Sequence, residues 1–437
     1  MTIAAAPKGF DRLAKQKLIT IYTTGTRGDV APFLPLAHGL QRAGFDVRLT
    51  AGSNFRSLIE AAGIAFAPVE LDYDALLLAP EIQSMMERGG TNLLGAMLRL
   101  FPRAMGMISG AMRDAWRAAP GTDAVLFTAN GPWGWHIARA LKVPAVYVTF
   151  QPAAPSGEVP CSVALSEPSL PIVNRLSHWA FMLVTWLPLR GRFNRWRKEE
   201  LGLPPLGLAP PFPAPDQRLM AAYSPTLSPR PRDWPPLWRT AGHWLADPPP
   251  DWQPPADLAA FLDSGPPPLY LGFGSVVIRD KARITEVVRG ALEITGRRAV
   301  VSRGWNLLKE EEMPQQVHLL NPVPHAWLFP RCSLIVHHGG GGTTGAGARS
   351  GVPSMAVPYG ADQPFWGRRL HALGVGPAPI PYGKVTAEKL AAAIREAEDD
   401  PVLREAAAEV GRKIRGEDGV DRAVQIVREA VAEAISD

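Results

Sequence analysis

The 437-residue chain has only two cysteines, Cys161 and Cys332. That is too few for a disulfide framework or a cysteine-rich metal site, and it fits a reducing compartment. Long apolar runs are missing as well: none approaches the ~18 residues needed to span a bilayer. The first 17 residues, MTIAAAPKGFDRLAKQK, have no continuous hydrophobic core of the kind a secretory signal needs, so a cytoplasmic protein is expected. There is no Gly-x-Ser-x-Gly elbow, no His-Glu-x-x-His and no spaced Cys/His cluster, which excludes serine-hydrolase and zinc-peptidase chemistry and leaves no metal expected. With 46% apolar and 20% charged residues, the composition excludes a disordered chain or a membrane bundle. A net charge of +5 and a pI near 9.3 favour anionic partners, without choosing among nucleotides, acidic lipids and nucleic acid.

What is present is an alternation of strands and helices. LITIY at 18–22, DVRLT at 46–50, AVLF at 124–127 and AVYVT at 145–149 read as buried parallel strands with helical patterns between them, a doubly wound sheet. From 204 to 268 there are 19 prolines, a density that breaks helices and reads as a linker. The alternation then restarts at 269–273, 299–301, 317–320, 333–337 and 354–357. The expected organisation is a first α/β domain over 1–235, a proline-rich linker over 236–265, a second over 266–415, and a C-terminal helix over 416–437 returning to the first. Ligands of such sheets bind at the carboxyl ends of the strands, so function belongs in the cleft between the two domains.

The strongest chemical signal is SLIVHHGGGGTTGAGARSG at 333–351, where a strand runs into Gly339 to Gly342 and Thr343-Thr344 opens a helix of small residues. Such a turn lets backbone amides and the helix dipole meet a diphosphate, while His337 or His338 can donate to a phosphate oxygen. Gly340, Gly342 and Gly345 also fit a dinucleotide fingerprint, with Asp362 near the ribose-acid spacing. Several strands precede that match, however, and no hydride-transfer constellation accompanies it, so a nicotinamide oxidoreductase is the disfavoured reading. Asp362-Gln363, beyond the next strand, suits the vicinal hydroxyls of a sugar. Gly274-Ser275, after the strand at 269–273, could hold the other side of the diphosphate. In the first domain, TTGTRGDVAP at 23–32 places Arg27 and Asp29 directly after the first strand. There Asp29 is expected to cap the following helix, and also to face the cleft as a general base.

GTRGDVAPF, GFGSV and VPHAWLFPRCSLIVHHGGGGTTGAGARSGVPSMAVPYGADQPFWG together resemble the bacterial, fungal and plant sterol glucosyltransferases. More broadly, they resemble inverting nucleotide-sugar glycosyltransferases of the glycosyltransferase-B fold: two Rossmann-like doubly wound domains facing across a cleft. The resemblance implies that Asp29 is the catalytic base, at the place where plant and animal relatives carry histidine in Gly-His-x-x-Pro, here Gly28 to Pro32. It implies that Thr26, Arg27 and Gly28 approach the donor, and that Gly274, Ser275, His338, Gly340, Gly342, Thr343 and Thr344 hold the diphosphate. Trp305 and Val323 would lie near the base, and Asp362 and Gln363 would bind the sugar. UDP-glucose is the implied co-substrate, with no separate cofactor and no nucleic acid. Ala346 stands where plant small-molecule enzymes carry a ribose-binding glutamate, which leaves UDP against TDP open, together with an antibiotic glycosyltransferase as the alternative.

At 172–187, Ile172, Leu176, Trp179, Leu183 and Trp186 share one helical face and Pro188 is expected to end the helix. RGRFNRWRK follows, interleaving Arg190, Arg192, Arg195, Arg197 and Lys198 with Phe193 and Trp196. Trp179, Leu183, Trp186, Phe193 and Trp196 are thus expected to line a greasy acceptor pocket or to touch an anionic membrane, placing the protein at the membrane periphery with a lipophilic alcohol such as a sterol or terpenoid as acceptor.

Overall fold

The computed structural model describes residues 16–71, 106–164, 167, 169–249, 251–273, 281–303 and 314–436. Gly274, Ser275 and Trp305 lie outside the described residues. The first lobe is built on a seven-stranded sheet of β1 (Leu18–Tyr22), β2 (Asp46–Gly52), β3 (Ala65–Val69), β4 (Thr122–Phe127), β5 (Ala145–Thr149), β6 (Arg218–Ala221) and β7 (Trp238–Thr240), ordered β3-β2-β1-β4-β5-β6-β7. The second has five strands, β8 (Leu269–Gly272), β9 (Ala299–Ser302), β10 (Val317–Leu320), β11 (Leu334–His337) and β12 (Ser354–Ala356), ordered β10-β9-β8-β11-β12. Every pairing is parallel.

Parallel strands covered by helices on both faces must be apolar throughout, which is why LITIY and LIVH are buried almost end to end. In both sheets the chain order reverses direction beside the first strand, between β1 and β4 and between β8 and β11. At such a switch point the loops diverge and leave a crevice, so each lobe presents one open end to the other.

The proline-rich stretch is not a bare linker. It contributes β6, β7 and the helix Ala256–Asp263. The prolines lie beside these elements, and β7 is an edge strand, where fewer ladder hydrogen bonds are demanded. The same reasoning explains β3, whose Ala65–Val69 reads poorly as a strand because of Pro68 but forms the opposite edge.

The helix Gly419–Ser436 packs on the helix Phe33–Arg42 within one apolar cluster of the first lobe that includes Leu36, Leu40, Val424 and Val427. Arg239 pairs with Glu429, and Arg218 with Glu433. At the crossing, the hydroxyls of Ser224 and Thr226 each donate to Glu417 Oε1 at 2.7 Å. The lobes also meet directly, with Arg369 Nε donating to the Leu227 carbonyl at 2.8 Å and the rings of Tyr223 and Trp366 5.6 Å apart. The C-terminal helix comes close at Gly39, where a β-carbon would lie 2.5 Å from Val420 Cγ1 and 3.2 Å from Val424 Cγ2. Leucine at that position gains ~1 kcal/mol of helix propensity but forces overpacking that typically costs ~1–3 kcal/mol. We therefore expect Gly39→Leu to lower the urea midpoint, and an unchanged or higher midpoint would show that the helix does not bind there.

Candidate functional site

The loop after β1 folds back on the carboxylate of Asp29. Thr26 is the N-cap of the short helix Arg27–Val30, and Asp29, at its third position, reaches back instead of capping the next helix as expected. Its Oδ2 accepts from Thr26 N at 2.8 Å and Thr26 Oγ1 at 3.0 Å, satisfying the N–H that a helix start leaves free. The turn requires Gly25: its φ is +126°, and a β-carbon there would sit 2.4 Å from Asp29 Oδ2. From the loop after β4, Asn130 Nδ2 donates to Asp29 Oδ1 at 2.9 Å. Burial raises the Asp29 pKa above the ordinary carboxylate value, opposed by the bonds from Thr26 and Asn130, which favour the ionised form. Arg27 and Gly28 are exposed at the rim.

In the second lobe, β11 ends in His337 and His338. His337 is fully buried, its Nδ1 accepting from Gly339 N at 3.0 Å, which shapes the turn, while its Nε2 is buried with no hydrogen-bond partner among the described residues. Gly339 has φ +91° and would place a β-carbon 2.8 Å from the Gln363 carbonyl, so the chain doubles back there only as glycine. Gly340 is the N-cap of the helix Gly341–Ser350, with no side chain capping the amides of its first turn. Around that start, His338 Nδ1 and Thr344 Oγ1 are buried with no hydrogen-bond partner among the described residues, and none of the described atoms lies within 4 Å of a β-carbon built on Gly342. Thr343 is half-buried beside them. Buried donors without partners are costly, and a bound anion would satisfy them.

The structure adds His325, which sequence reasoning passed over. It begins the short helix His325–Leu328 after Val323-Pro324 and stacks on Phe329 at 4.3 Å and 14°. Burial and the Arg27 guanidinium on the facing lobe push its pKa down to about 4, so Arg27 lies close to this ring. His338 is pushed down to about 4 by burial and then by His325. Both imidazoles are therefore neutral near pH 7 and act as N–H donors, until an incoming anion stabilises their protonated forms. Val323 is partly buried against the cluster holding Tyr270 and Phe329.

Asp362 caps the helix Gln363–Ala372 and accepts from Trp366 Nε1 at 2.8 Å through Oδ2. Gln363 Oε1 accepts from Tyr359 N at 2.8 Å, which fixes its amide and leaves the NH₂ end available. Burial and, to a smaller extent, Asp29 together push the Asp362 pKa up to about 6, against the bond from Trp366, so the two carboxyl groups interact across the cleft. Among the described residues, no three His, Cys, Asp or Glu side chains cluster to hold a metal ion.

The long helix departs from expectation. It runs unbroken over Pro171–Glu199, through Pro188, because Leu187 and Pro188 lie on the solvent side, where water can reach the carbonyl that loses its donor. Trp186, Phe193 and Trp196 are not surface contacts: they are buried around His136, whose ring stacks on Phe193 at 4.5 Å. Arg197, 4% exposed, turns inward to His136 Nδ1 at 3.1 Å and the Pro204 carbonyl at 2.8 Å. Trp179 is 46% exposed and Leu183 half-buried.

Comparison with known proteins places this geometry. Residues 19–124 match the glycosyltransferase family 28 N-terminal domain, and 303–426 match the C-terminal domain of erythromycin biosynthesis protein CIII-like proteins. The chain is 36% identical over 420 residues to the sterol 3-beta-glucosyltransferase UGT80A2 of Arabidopsis thaliana, covering 93% of this chain and 64% of that one. It is 34% identical to UGT80B1 of the same plant, with 93% and 67% covered. To the sterol 3-beta-glucosyltransferase of Aspergillus terreus it is 32% identical, with 94% of this chain but 30% of that one covered, so the chain spans only part of these relatives. Among solved structures, the calicheamicin glycosyltransferase CalG4 superposes with a TM-score of 0.69 at 17% identity, covering 96% of this chain and 99% of that one. VinC in complex with dTDP gives 0.64 at 18%, covering 96% and 100%. These structures share the glycosyltransferase-B fold, and on the sequence identities above the chain belongs to the sterol 3-beta-glucosyltransferase family.

Proposed function

We propose that the protein transfers glucose from UDP-glucose, with inversion, to the hydroxyl of a lipophilic alcohol, a sterol or related terpenoid, using Asp29 as general base. The observation that carries the reading is the opposition of two charge devices at facing switch points: a carboxylate held by three donors in one lobe, and an uncapped helix start with unpartnered His338 and Thr344 in the other. The acceptor hydroxyl gives its proton to Asp29 as its oxygen attacks the anomeric carbon. The bond to the diphosphate breaks, and its electron pair leaves on the phosphate oxygen. The amides of the Gly341–Ser350 helix start, with His338, Thr343 and Thr344, would take that developing charge, the larger electrostatic contribution in such sites. Arg27 and His325 would close over the donor, while Asp362 and the Gln363 amide would orient the sugar hydroxyls.

A membrane approach fits the first half of the long helix. Leu170, Ile172, Leu176 and Trp179 form an exposed apolar stripe, 46–68% accessible, with the exposed cation Arg175, which pairs with Asp233 at 3.1 Å, on the same stretch. Among the described residues no helix is long and apolar enough to cross a membrane. The stripe suits insertion at an anionic surface, each nearby cation adding ~1 kcal/mol.

Asp29→Asn should lower kcat about 10²- to 10⁴-fold while UDP affinity by calorimetry stays the same; undiminished turnover would remove Asp29 from the chemistry. Asp362 binds its proton more tightly folded than unfolded, so its contribution to stability is complete below the ordinary value of 3.8 and is lost as pH rises through about 6. Asp362→Asn should accordingly raise Tm at pH 7, and should remove the weakening of UDP-glucose binding expected as the wild-type carboxylate protonates below about pH 6. A wild-type profile in that variant would refute the sugar-binding role. For the helix, replacing Leu176 and Trp179 by serine should abolish flotation with phosphatidylserine vesicles but preserve turnover of a detergent-dissolved acceptor; unaltered flotation would exclude the stripe.

A further inference from the structure

We propose that Asn130 is a positioning residue for the transfer step: its amide selects Oδ1 of Asp29 as the atom that takes the acceptor proton and keeps that oxygen ionised until the acceptor arrives. The proposal rests on the reading of Asp29 as the base and adds which oxygen acts, and why.

The two carboxylate oxygens are not equivalent. Oδ2 accepts from both Thr26 N and Thr26 Oγ1, at 2.8 and 3.0 Å, which occupies its two acceptor directions. Among the described residues Oδ1 accepts only from Asn130 Nδ2, at 2.9 Å, and keeps one direction for a hydroxyl. An acceptor O–H entering the cleft therefore transfers its proton to Oδ1: the O–H bond breaks, the oxygen bonds to the anomeric carbon, and the diphosphate departs with the electron pair of the broken glycosidic bond. Asp29 is left as the neutral acid and returns the proton to solvent.

The partner's chemistry matters as much as its position. An amide has no proton to exchange at neutral pH, so Asn130 stabilises the carboxylate by donation alone. A carboxyl in its place would compete for the same proton, as paired acids do. Asn130 is itself held by the scaffold. Its carbonyl accepts from the Thr24 hydroxyl, and Gly131 N closes the turn onto the Thr128 carbonyl at 3.0 Å. A β-carbon at Gly131 would fall 2.3 Å from the Tyr22 carbonyl, so this loop is pressed against the end of β1 at the switch point. The titratable and charged groups near the pair are Arg27 on the loop of Asp29, Asp362 on the facing lobe, and, beside Arg27, the neutral His325.

The test uses the full-length protein with Asn130→Leu and Asn130→Asp, reading UDP release from UDP-glucose across pH with cholesterol in detergent as acceptor and, separately, with water as acceptor. Calorimetric UDP binding reports an intact fold. With Leu, kcat should fall about tenfold or more and the acid limb of its pH profile should move to higher pH, because the ionised form loses a donor. With Asp, the acid limb should move the same way, because two carboxyls share a proton. A loss of kcat with the limb unmoved would make Asn130 merely structural, and unchanged kcat would dismiss it; either overturns the proposal. Should the Leu variant fail to bind UDP, the nearly isosteric Asp variant decides alone. If Asp29→Asn retains turnover, the base assignment itself has failed. If Asp29→Asn is inactive while both Asn130 variants keep the wild-type limb, only this proposal has.

Discussion

The role proposed for Asp29 requires a carboxylate to stay ionised where burial disfavours ionisation, and the contacts around its two oxygens bear directly on that demand. Burial pushes Asp29 toward the neutral acid, while donors from Thr26 and Asn130 push the other way. Thr26 can donate twice because Asp29 sits at the third position of a helix start, one turn from a free N–H. Gly25 is needed because no side chain fits beneath the carboxylate, and Asn130 is within reach because β1 and β4 end side by side in the sheet.

The second lobe solves the complementary problem. Under the proposed reading, its glycine turn would offer amides and neutral imidazoles to an anion without carrying a fixed positive charge that would neutralise Asp29. The pKa values near 4 of His325 and His338 suit such a role, since a diphosphate both accepts their N–H bonds and stabilises any proton they take up. The lobes are held to one another by the Gly419–Ser436 helix and by contacts such as Arg369 to Leu227. The facing carboxyls Asp29 and Asp362 raise one another's cost of ionisation, a local strain that the surrounding core tolerates.

The helix Pro171–Glu199 shows one element serving two environments. Its second half drives Trp186, Phe193, Trp196 and even Arg197 into an aromatic core around His136, whereas its first half leaves Leu176 and Trp179 in solvent. The core half anchors the exposed half rigidly, which is the arrangement a surface-docking stripe requires.

Sequence reading succeeded where local chemistry decides the outcome. Nine of the strands lie where short runs rich in apolar β-formers occur, the composition that a parallel strand covered on both faces favours. The glycine turn after β11 was legible for a similar reason, since its conformation is set within a few residues, whereas Asp29 folds back onto Thr26 and does not cap the next helix as expected. What the sequence could not disclose depends on neighbours distant along the chain. The edge strands β3 and β7 form in spite of nearby prolines because the sheet beside them is already built. Asn130 lies 101 positions from Asp29 and looks like an ordinary loop asparagine until β4 brings it to β1. His325 gains its meaning from Arg27 on the other lobe, and the split fate of the long helix follows from which face meets the first lobe's core. Composition and short-range pattern thus determined the central strands of the two sheets and the glycine turn after β11, whereas tertiary packing alone decided which polar groups meet, because burial and hydrogen-bond reach are properties of space and not of sequence separation.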